Sequence, residues 1–261
     1  MKFQIASDIH LEVLEMDDSF HEDDEETFRF LIEPEAPILI LAGDITSLHA
    51  KSTIPFLKWC SKTFEHTFWI MGNHEYYSKI VIPKNTILEH YRRISPENVY
   101  ILDNETFCLD SVLFVGSTLW SNIPEEDELE IQYRINDYRM IYNAEGRRIC
   151  AAEIRAEFYK NLQFIERTIE ENPEKQIVII SHHAPLKKDT SYAKYEGDVT
   201  NSAYSTHIDL KNDSNVRYWI YGHTHHNSRI QKGNYKVISN QMGYFGEHTG
   251  ITYEFSGVLE I

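Results

Sequence analysis

Seven apolar runs of strand length are spread through the chain: KFQIAS (2–7), PILILAG (37–43), TFWIMG (67–72), SVLFVGS (111–117), QIVIIS (176–181), VRYWIYG (216–222) and YKVIS (235–239). Runs this short and this rich in β-branched and aromatic residues read as strands, several of them buried on both faces. Such strands need helices to cover them. Within 151–172, Ile154, Phe158, Leu162, Ile165 and Ile169 recur at three- and four-residue steps and form one apolar stripe, which Asn172-Pro173 ends. Shorter helical patterns occupy 26–33, 54–64 and 83–94. The alternation predicts an α/β fold, and the scarcity of helices between the later strands predicts a second mixed sheet.

Composition narrows what such a fold can do. At 261 residues, without repeats, low-complexity tracts or Gly/Ser linkers, the chain reads as a single domain spanning 1–261. No run approaches the roughly 20 apolar residues that cross a bilayer, and Asp8 breaks the opening apolar run before it reaches signal-peptide length. A cytoplasmic location with no membrane partner is therefore expected. Cys60, Cys108 and Cys150 are odd in number and far apart, which reads as reduced thiols rather than a disulfide framework. The formal charge of −16 opposes binding of extended nucleic acid, which needs Lys/Arg patches. Part of that charge lies in residues 12–27, which contain no Lys or Arg. The stretch reads as a solvated loop leading into a helix, with partner docking or metal attraction as the alternative.

The residues that close the strands carry the chemistry. The first strand ends in Asp8 and His10, the second in Asp44, and the third in Asn73, His74 and Glu75; later strands end in His182 and His183, and in His223, His225 and His226. In open α/β sheets, ligands bind beyond the carboxyl ends of strands. Were the chain still extended in Asp8-x-His10 and His223-x-His225, each pair would point to one side. Asp44 alone would be a turn residue, and a lone His a satisfied surface or core residue. Five coinciding strand ends argue otherwise. Carboxylate, imidazole and amide oxygen without thiolate suit Mn, Fe, Zn or Mg. Seven such groups suit two ions about 4 Å apart with one carboxylate between them. Two long, polar, tyrosine-rich segments, 118–150 and 186–210, also follow strands and read as binding loops or lids on the same rim.

In order along the chain stand D-x-H, G-D, G-N-H-E, a His after a strand, and G-H-x-H, from Asp8 to His225. In this the sequence resembles the calcineurin-like metallophosphoesterase superfamily. The resemblance implies a four-layer α/β/β/α sandwich with two mixed β-sheets and a dinuclear site at the carboxyl ends of the strands. It further implies that Asp8, His10 and His225 hold one divalent ion, that Asn73, His182 and His223 hold the other, and that Asp44 bridges them. His182, which directly follows its strand and matches H-x-x-P up to Pro185, is preferred as the ligand to His183. His74 would stand near the leaving-group oxygen. Catalysis would then rest on Asp44 and His74, with in-line attack by a metal-bridging hydroxide.

Two Mn, Fe or Zn ions are the expected cofactors, and a small phosphodiester or phosphomonoester, nucleotide-like among the options, is the expected substrate. Asn73, His74, Arg139 and His183 are the expected substrate contacts. Tyr133, Tyr138, Tyr142, Tyr192, Tyr195 and Tyr204 could stack on a base or simply pack the loops. Where many relatives carry N-P-R-G-Y after the last motif, this chain has NQMGY (240–244), so Met242 replaces an arginine whose task would fall to Arg139 or Arg134. The competing readings are a nuclease of the same superfamily, with Lys187, Lys188 and Lys194 as a local basic patch, and a non-catalytic scaffold docking through 12–27. His226 reads as a neighbour of the site. His21, His49, His66, His90, His207 and His248 read as structural.

Overall fold

The computed structural model describes residues 1–17, 20–21, 25–247 and 250–261. The first half of the chain runs β1 (Lys2–Ala6), α1 (Leu11–Leu14), α2 (Glu25–Leu31), β2 (Ile38–Leu41), α3 (Thr53–Thr63), β3 (His66–Trp69), α4 (Lys84–Ile94) and β4 (Val99–Ile101). The second half begins with the hairpin β5 (Glu105–Leu109) and β6 (Val112–Ser117), then α5 (Glu128–Arg134), α6 (Asp137–Met140), the long α7 (Ala151–Glu171), β7 (Gln176–Ser181) and α8 (Asn201–Tyr204). It closes with β8 (Val216–Tyr221), β9 (Arg229–Lys232), β10 (Tyr235–Ser239) and β11 (Val258–Glu260).

The strands form two sheets, ordered β11-β1-β2-β3-β4 and β5-β6-β7-β8-β10-β9. In each, the central strands are parallel and antiparallel partners lie at the edges: β11 on β1 in the first sheet, β5 on β6 and β9 on β10 in the second. Alternate side chains of the parallel strands meet between the sheets: Phe3 and Ile5, Ile38 and Ile40, Phe68, Phe114, Val178 and Ile180, Ile220 and Ile238. Their neighbours, such as Leu39, Trp69, Val115, Ile179 and Trp219, face the outer cores. That period of two, with both faces buried, is why these runs are mostly apolar. Helices α3 and α4 cover the first sheet and α7 the second, which makes four layers, α/β/β/α. In α7, Ile154, Phe158, Ile165 and Ile169 are buried and Leu162 partly so, as the stripe requires.

The strands that sequence patterning misses have a common cause. β5 and β9 are edge strands with largely exposed or half-exposed side chains, so they present no apolar run. β4 and β11 are only three residues each. The two long segments carry short helices: α5 and α6 in one, α8 in the other. Among the described residues, no helix is long and apolar enough to cross a membrane.

Between the sheets the packing leaves little slack. A Cβ on Gly116 would stand 2.3 Å from Leu102 Cβ and 2.5 Å from Ile70 Cδ1, across the interface. Overpacking of this kind costs about 1–3 kcal/mol, so Gly116→Ala is expected to lower Tm by about 3–10 °C in thermal unfolding. An unchanged or higher Tm would contradict the close approach.

Candidate metal centre

All five sequence motifs meet at one edge, where the parallel strands of both sheets end. The anticipated extended geometry is absent. β1 stops at Ala6 and β8 at Tyr221, and Asp8, His10, Asp44, His223 and His225 all have left-handed backbone, with φ of 52, 51, 52, 73 and 49°. Each such residue costs about 1–3 kcal/mol and persists only where its surroundings over-determine it. Here they do. Asp8 N–H donates to Gly43 O at 3.0 Å and His10 N–H to Asp44 O at 3.1 Å. Asp44 N–H donates to Glu75 at 3.0 Å, His223 N–H to Asp8 at 2.9 Å, and His225 N–H to Gln241 at 2.6 Å. Turns, rather than strand pleats, aim the i and i+2 side chains together.

Gly43 and Gly72 leave the room these side chains occupy. A Cβ on Gly43, whose φ is +90°, would stand 2.3 Å from His182 Nδ1, and one on Gly72 would stand 2.2 Å from Asp44 Oδ1. The glycine before Asp44 and the one before Asn73 are thus dictated by close approach.

Among the described residues, two groups of donor atoms flank Asp44, and a third, His10, Asp44 and His74, overlaps the first. In one, Asp8, His10 and His225 cluster: His10 Nε2 lies 3.0 Å from His225 Nε2, and His225 Nε2 lies 3.6 Å from Asp8 Oδ1. In the other, His182 Nε2 lies 3.0 Å from Asn73 Oδ1, 3.1 Å from His223 Nδ1 and 3.4 Å from Asp44 Oδ1. Asp44 Oδ2 meanwhile approaches His10 Nε2 at 4.0 Å. Second partners settle the tautomers. His182 Nδ1 donates to Ala42 O at 2.9 Å, His225 Nδ1 to Glu247 at 2.6 Å, and His10 Nδ1 to Glu12 at 3.2 Å. The Nε2 lone pairs of His10 and His225 therefore face each other, and that of His182 faces the Asn73 oxygen, an arrangement that a cation, or a proton in its place, makes stable. The Asn73 amide is oriented the same way: its NH2 donates to Asp137 at 2.9 Å, which turns its oxygen toward His182.

Four carboxylates brace the centre, and only Glu75 stood within a recognised motif. Glu75 is fully buried and accepts the backbone N–H groups of Gly72, Asp44, Ile45 and Thr46. Burial, then the Asp44 charge, pushes it up to about 8. Asp137 holds Asn73 and accepts the Tyr77 hydroxyl at 2.6 Å. Glu247 holds His225. Glu12 accepts from His10 and, at 3.0 Å, from His74 Nδ1. Burial alone would raise Glu12, but the two imidazoles prevail and hold it at about 2. Glu12 and Glu15, which accepts Ser52 N–H at 2.7 Å, thus turn the start of the acidic stretch inward instead of leaving it as solvated loop. Residues 18–19 and 22–24 of that stretch lie outside the described residues. Burial opposes the charge on His74, but Asp44 and Glu12 outweigh it and raise its pKa to about 9.

A cavity of about 440 Å³ opens over the centre. Asp44, Asn73, His74, His223 and His225 form its floor, and its walls include Arg134, Tyr195, Thr200, Asn201, Tyr204 and Tyr244. Both long segments contribute to these walls. Two anticipated substrate contacts stand elsewhere. His183 is buried behind the centre, its ring 4.3 Å from His223 and 5.2 Å from Trp120, and burial lowers its pKa to about 3. Arg139 does not line the cavity; its guanidinium is tied to Asn136 at 3.2 Å and to the Tyr133 carbonyl. Arg134 lines it instead, paired with Glu130 at 3.1 Å and Asp198 at 3.2 Å. Of the six rim tyrosines, only Tyr195 and Tyr204 reach the cavity, where Tyr77 and Tyr244 join them. His226 packs against Tyr192, 5.3 Å away. His21, His49, His66, His90 and His207 do not line the cavity, and His248 lies outside the described residues.

Known proteins resemble this chain in sequence or in fold. An uncharacterised protein of Acanthamoeba polyphaga mimivirus is 31% identical over 222 residues, 80% of this chain and 79% of that protein. The phosphopantetheinyl hydrolase of Mycobacterium tuberculosis has a similar fold, with a TM-score of 0.69 at 16% identity, over 93% of this chain and 89% of that one. A dimetal phosphatase from Danio rerio superposes with a TM-score of 0.53 at 12% identity, over 92% and 86%. The family model for calcineurin-like phosphoesterases matches residues 1–227, which include every motif that converges on the centre. The chain belongs to the calcineurin-like phosphoesterase family of metal-dependent enzymes.

Proposed function

We propose that the protein is a dinuclear-metal-dependent phosphohydrolase for a small phosphoester, diester or monoester, with room for a nucleotide-like arm. The observation that carries this reading is the facing of buried lone pairs, His10 Nε2 with His225 Nε2 at 3.0 Å and His182 Nε2 with Asn73 Oδ1 at 3.0 Å, with His223 Nδ1 gathered in at 3.1 Å. Buried groups of like polarity do not approach so closely without a compensating charge. Asp8, His10 and His225 would hold one divalent ion and Asn73, His182 and His223 the other, with Asp44 shared between them. The all-nitrogen-and-oxygen donor set fits Mn, Fe or Zn. When bound, the two ions supply positive charge to the phosphoryl oxygens and lower the pKa of a water to near neutrality.

The chain's own residues do the rest. Glu12 fixes His74 through Nδ1, which leaves Nε2 directed to the cavity as a proton donor for the departing oxygen. Asp137 keeps the Asn73 oxygen turned toward the centre. Tyr195, about half exposed, offers a face on which a base can stack. Arg134 is the cavity arginine able to take over the task of the one replaced by Met242, which instead packs against the core. Cys60, Cys108 and Cys150 are free thiols, as suits a reducing compartment, and we place the protein in the cytoplasm as one domain.

Two measurements test the reading. Mn²⁺-loaded protein is expected to turn over bis-p-nitrophenyl phosphate, and Asp44→Asn, which removes the shared charge, to lower kcat by about a hundredfold or more. Wild-type turnover no faster than that of the variant would contradict the proposal. Asp137→Ala frees the Asn73 amide to rotate and is expected to weaken Mn²⁺ binding, titrated by calorimetry, about 10- to 100-fold. Unchanged affinity would show that the amide needs no such support.

A further inference from the structure

Residues 228–261 lie beyond the stretch matched by the family model, yet part of this segment closes over the centre. The Tyr244 ring lies 4.6 Å from that of His10 and 4.8 Å from that of His225. Its position is over-determined. Gly243 N–H donates to Asp8 O at 3.0 Å, and the Glu247 carboxylate accepts Tyr244 N–H at 3.0 Å while also holding His225. The tyrosine is thus anchored to the same groups that form the metal centre.

This anchoring sets the Tyr244 hydroxyl 3.5 Å from His74 Nε2. A separation of 3.5 Å is too long for a strong hydrogen bond between the two. It does suit two donors that share a third atom, since an oxygen about 2.8 Å from each fits between them. His74 Nδ1 is already engaged by Glu12, so Nε2 is the nitrogen available. Both residues line the cavity.

We propose that Tyr244 is a second leaving-group residue, its O–H and His74 Nε2–H converging on the departing ester oxygen, and that the slot serves alkyl phosphoesters. This rests on the phosphohydrolase reading above. As the bond from phosphorus to the incoming water oxygen forms, the bond from phosphorus to the alkyl oxygen breaks and its electron pair stays on that oxygen. His74 passes its Nε2 proton to the alkoxide, while Tyr244 donates a hydrogen bond and keeps its own proton. The proton released by the attacking water goes to solvent, from which His74 is reprotonated. An alkoxide is the leaving group that most needs two donors.

The charge around the slot points to the same class. Glu12 holds the far side of His74, and Glu247 lies beside Tyr244. Among the described cavity-lining residues, Arg134 is the sole Arg or Lys, and two carboxylates already face it. A neutral alcohol can leave past these acids, whereas a departing phosphate would be repelled.

The test compares methyl p-nitrophenyl phosphate with methyl phenyl phosphate, using the full Mn²⁺-loaded chain. Tyr244→Phe is expected to lower kcat on the phenyl ester by about tenfold or more, with KM little changed, and to leave the p-nitrophenyl ester within about threefold. Equal losses on both esters would reveal a merely structural role and overturn the proposal, as would no loss on either. Should the variant fail to hold metal, the wild-type protein decides. A weak dependence of kcat/KM on leaving-group basicity supports the two-donor slot, and a steep fall toward phenol overturns it. For substrate class, bis(glyceryl) phosphate is expected to be cleaved at least about tenfold more efficiently than inorganic pyrophosphate, and the reverse order would overturn the assignment. Wild-type turnover of the p-nitrophenyl ester reports separately on the phosphohydrolase reading itself.

Discussion

The structure turns on the close approach of electron-rich groups where two sheets meet. Asp8 and Asp44 are buried, and around them the imidazoles of His10, His182, His223 and His225 present nitrogen to nitrogen at about 3 Å. Unpaired charge in such a place is costly enough to shift pKa values or recruit a counter-ion. The scaffold accepts further costs to hold the arrangement. Five residues of the centre, Asp8, His10, Asp44, His223 and His225, adopt left-handed backbone, and four carboxylates, Glu12, Glu75, Asp137 and Glu247, tie down the imidazoles, the amide and the turns. Strain concentrated in the groups that form the centre, and relieved by hydrogen bonds from them, is the pattern expected where geometry serves function.

The sandwich follows from simpler physics. Strands with apolar residues on both faces must be covered twice, once by the other sheet and once by helices, and the period-two division of Phe3, Ile38, Phe68, Phe114 and Val178 from their neighbours shows both coverings. Because the central strands are parallel, their carboxyl ends share an edge, and residues distant in sequence meet there. The convergence of Asp8 with His223, whose backbone N–H it accepts across 215 positions, is a consequence of topology as much as of chemistry.

The sequence discloses this unevenly, for physical reasons. Central strands announce themselves through double burial, and the residues that close them through motif spacing. Edge strands such as β5 and β9, with one solvated face and no apolar run, do not. The side chains that meet at the centre were likewise legible, because each follows a readable strand. Their supports were not. Glu12 sits in an acidic stretch indistinguishable in composition from a solvated loop, and only its position two residues after His10 hints at its inward turn. Asp137 opens the four-residue α6, too short to show a period, and Tyr244 and Glu247 lie outside any helix or strand. The tautomers of His182 and His225 depend on Ala42 O and Glu247, partners that only the fold reveals. The sequence reading favours Arg139 as the substrate contact, but the packing of α5 and α6 puts Arg134 on the cavity wall instead.

The central claim is that these side chains cage a pair of cations, and crystallography can address it directly. Crystals grown with Mn²⁺ and measured above the manganese absorption edge are expected to show two anomalous peaks about 4 Å apart, one on each side of Asp44. One peak would lie among Asp8, His10 and His225, and the other among Asn73, His182 and His223. An anomalous map with no peak between those side chains, or with manganese bound only elsewhere on the acidic surface, would contradict the account.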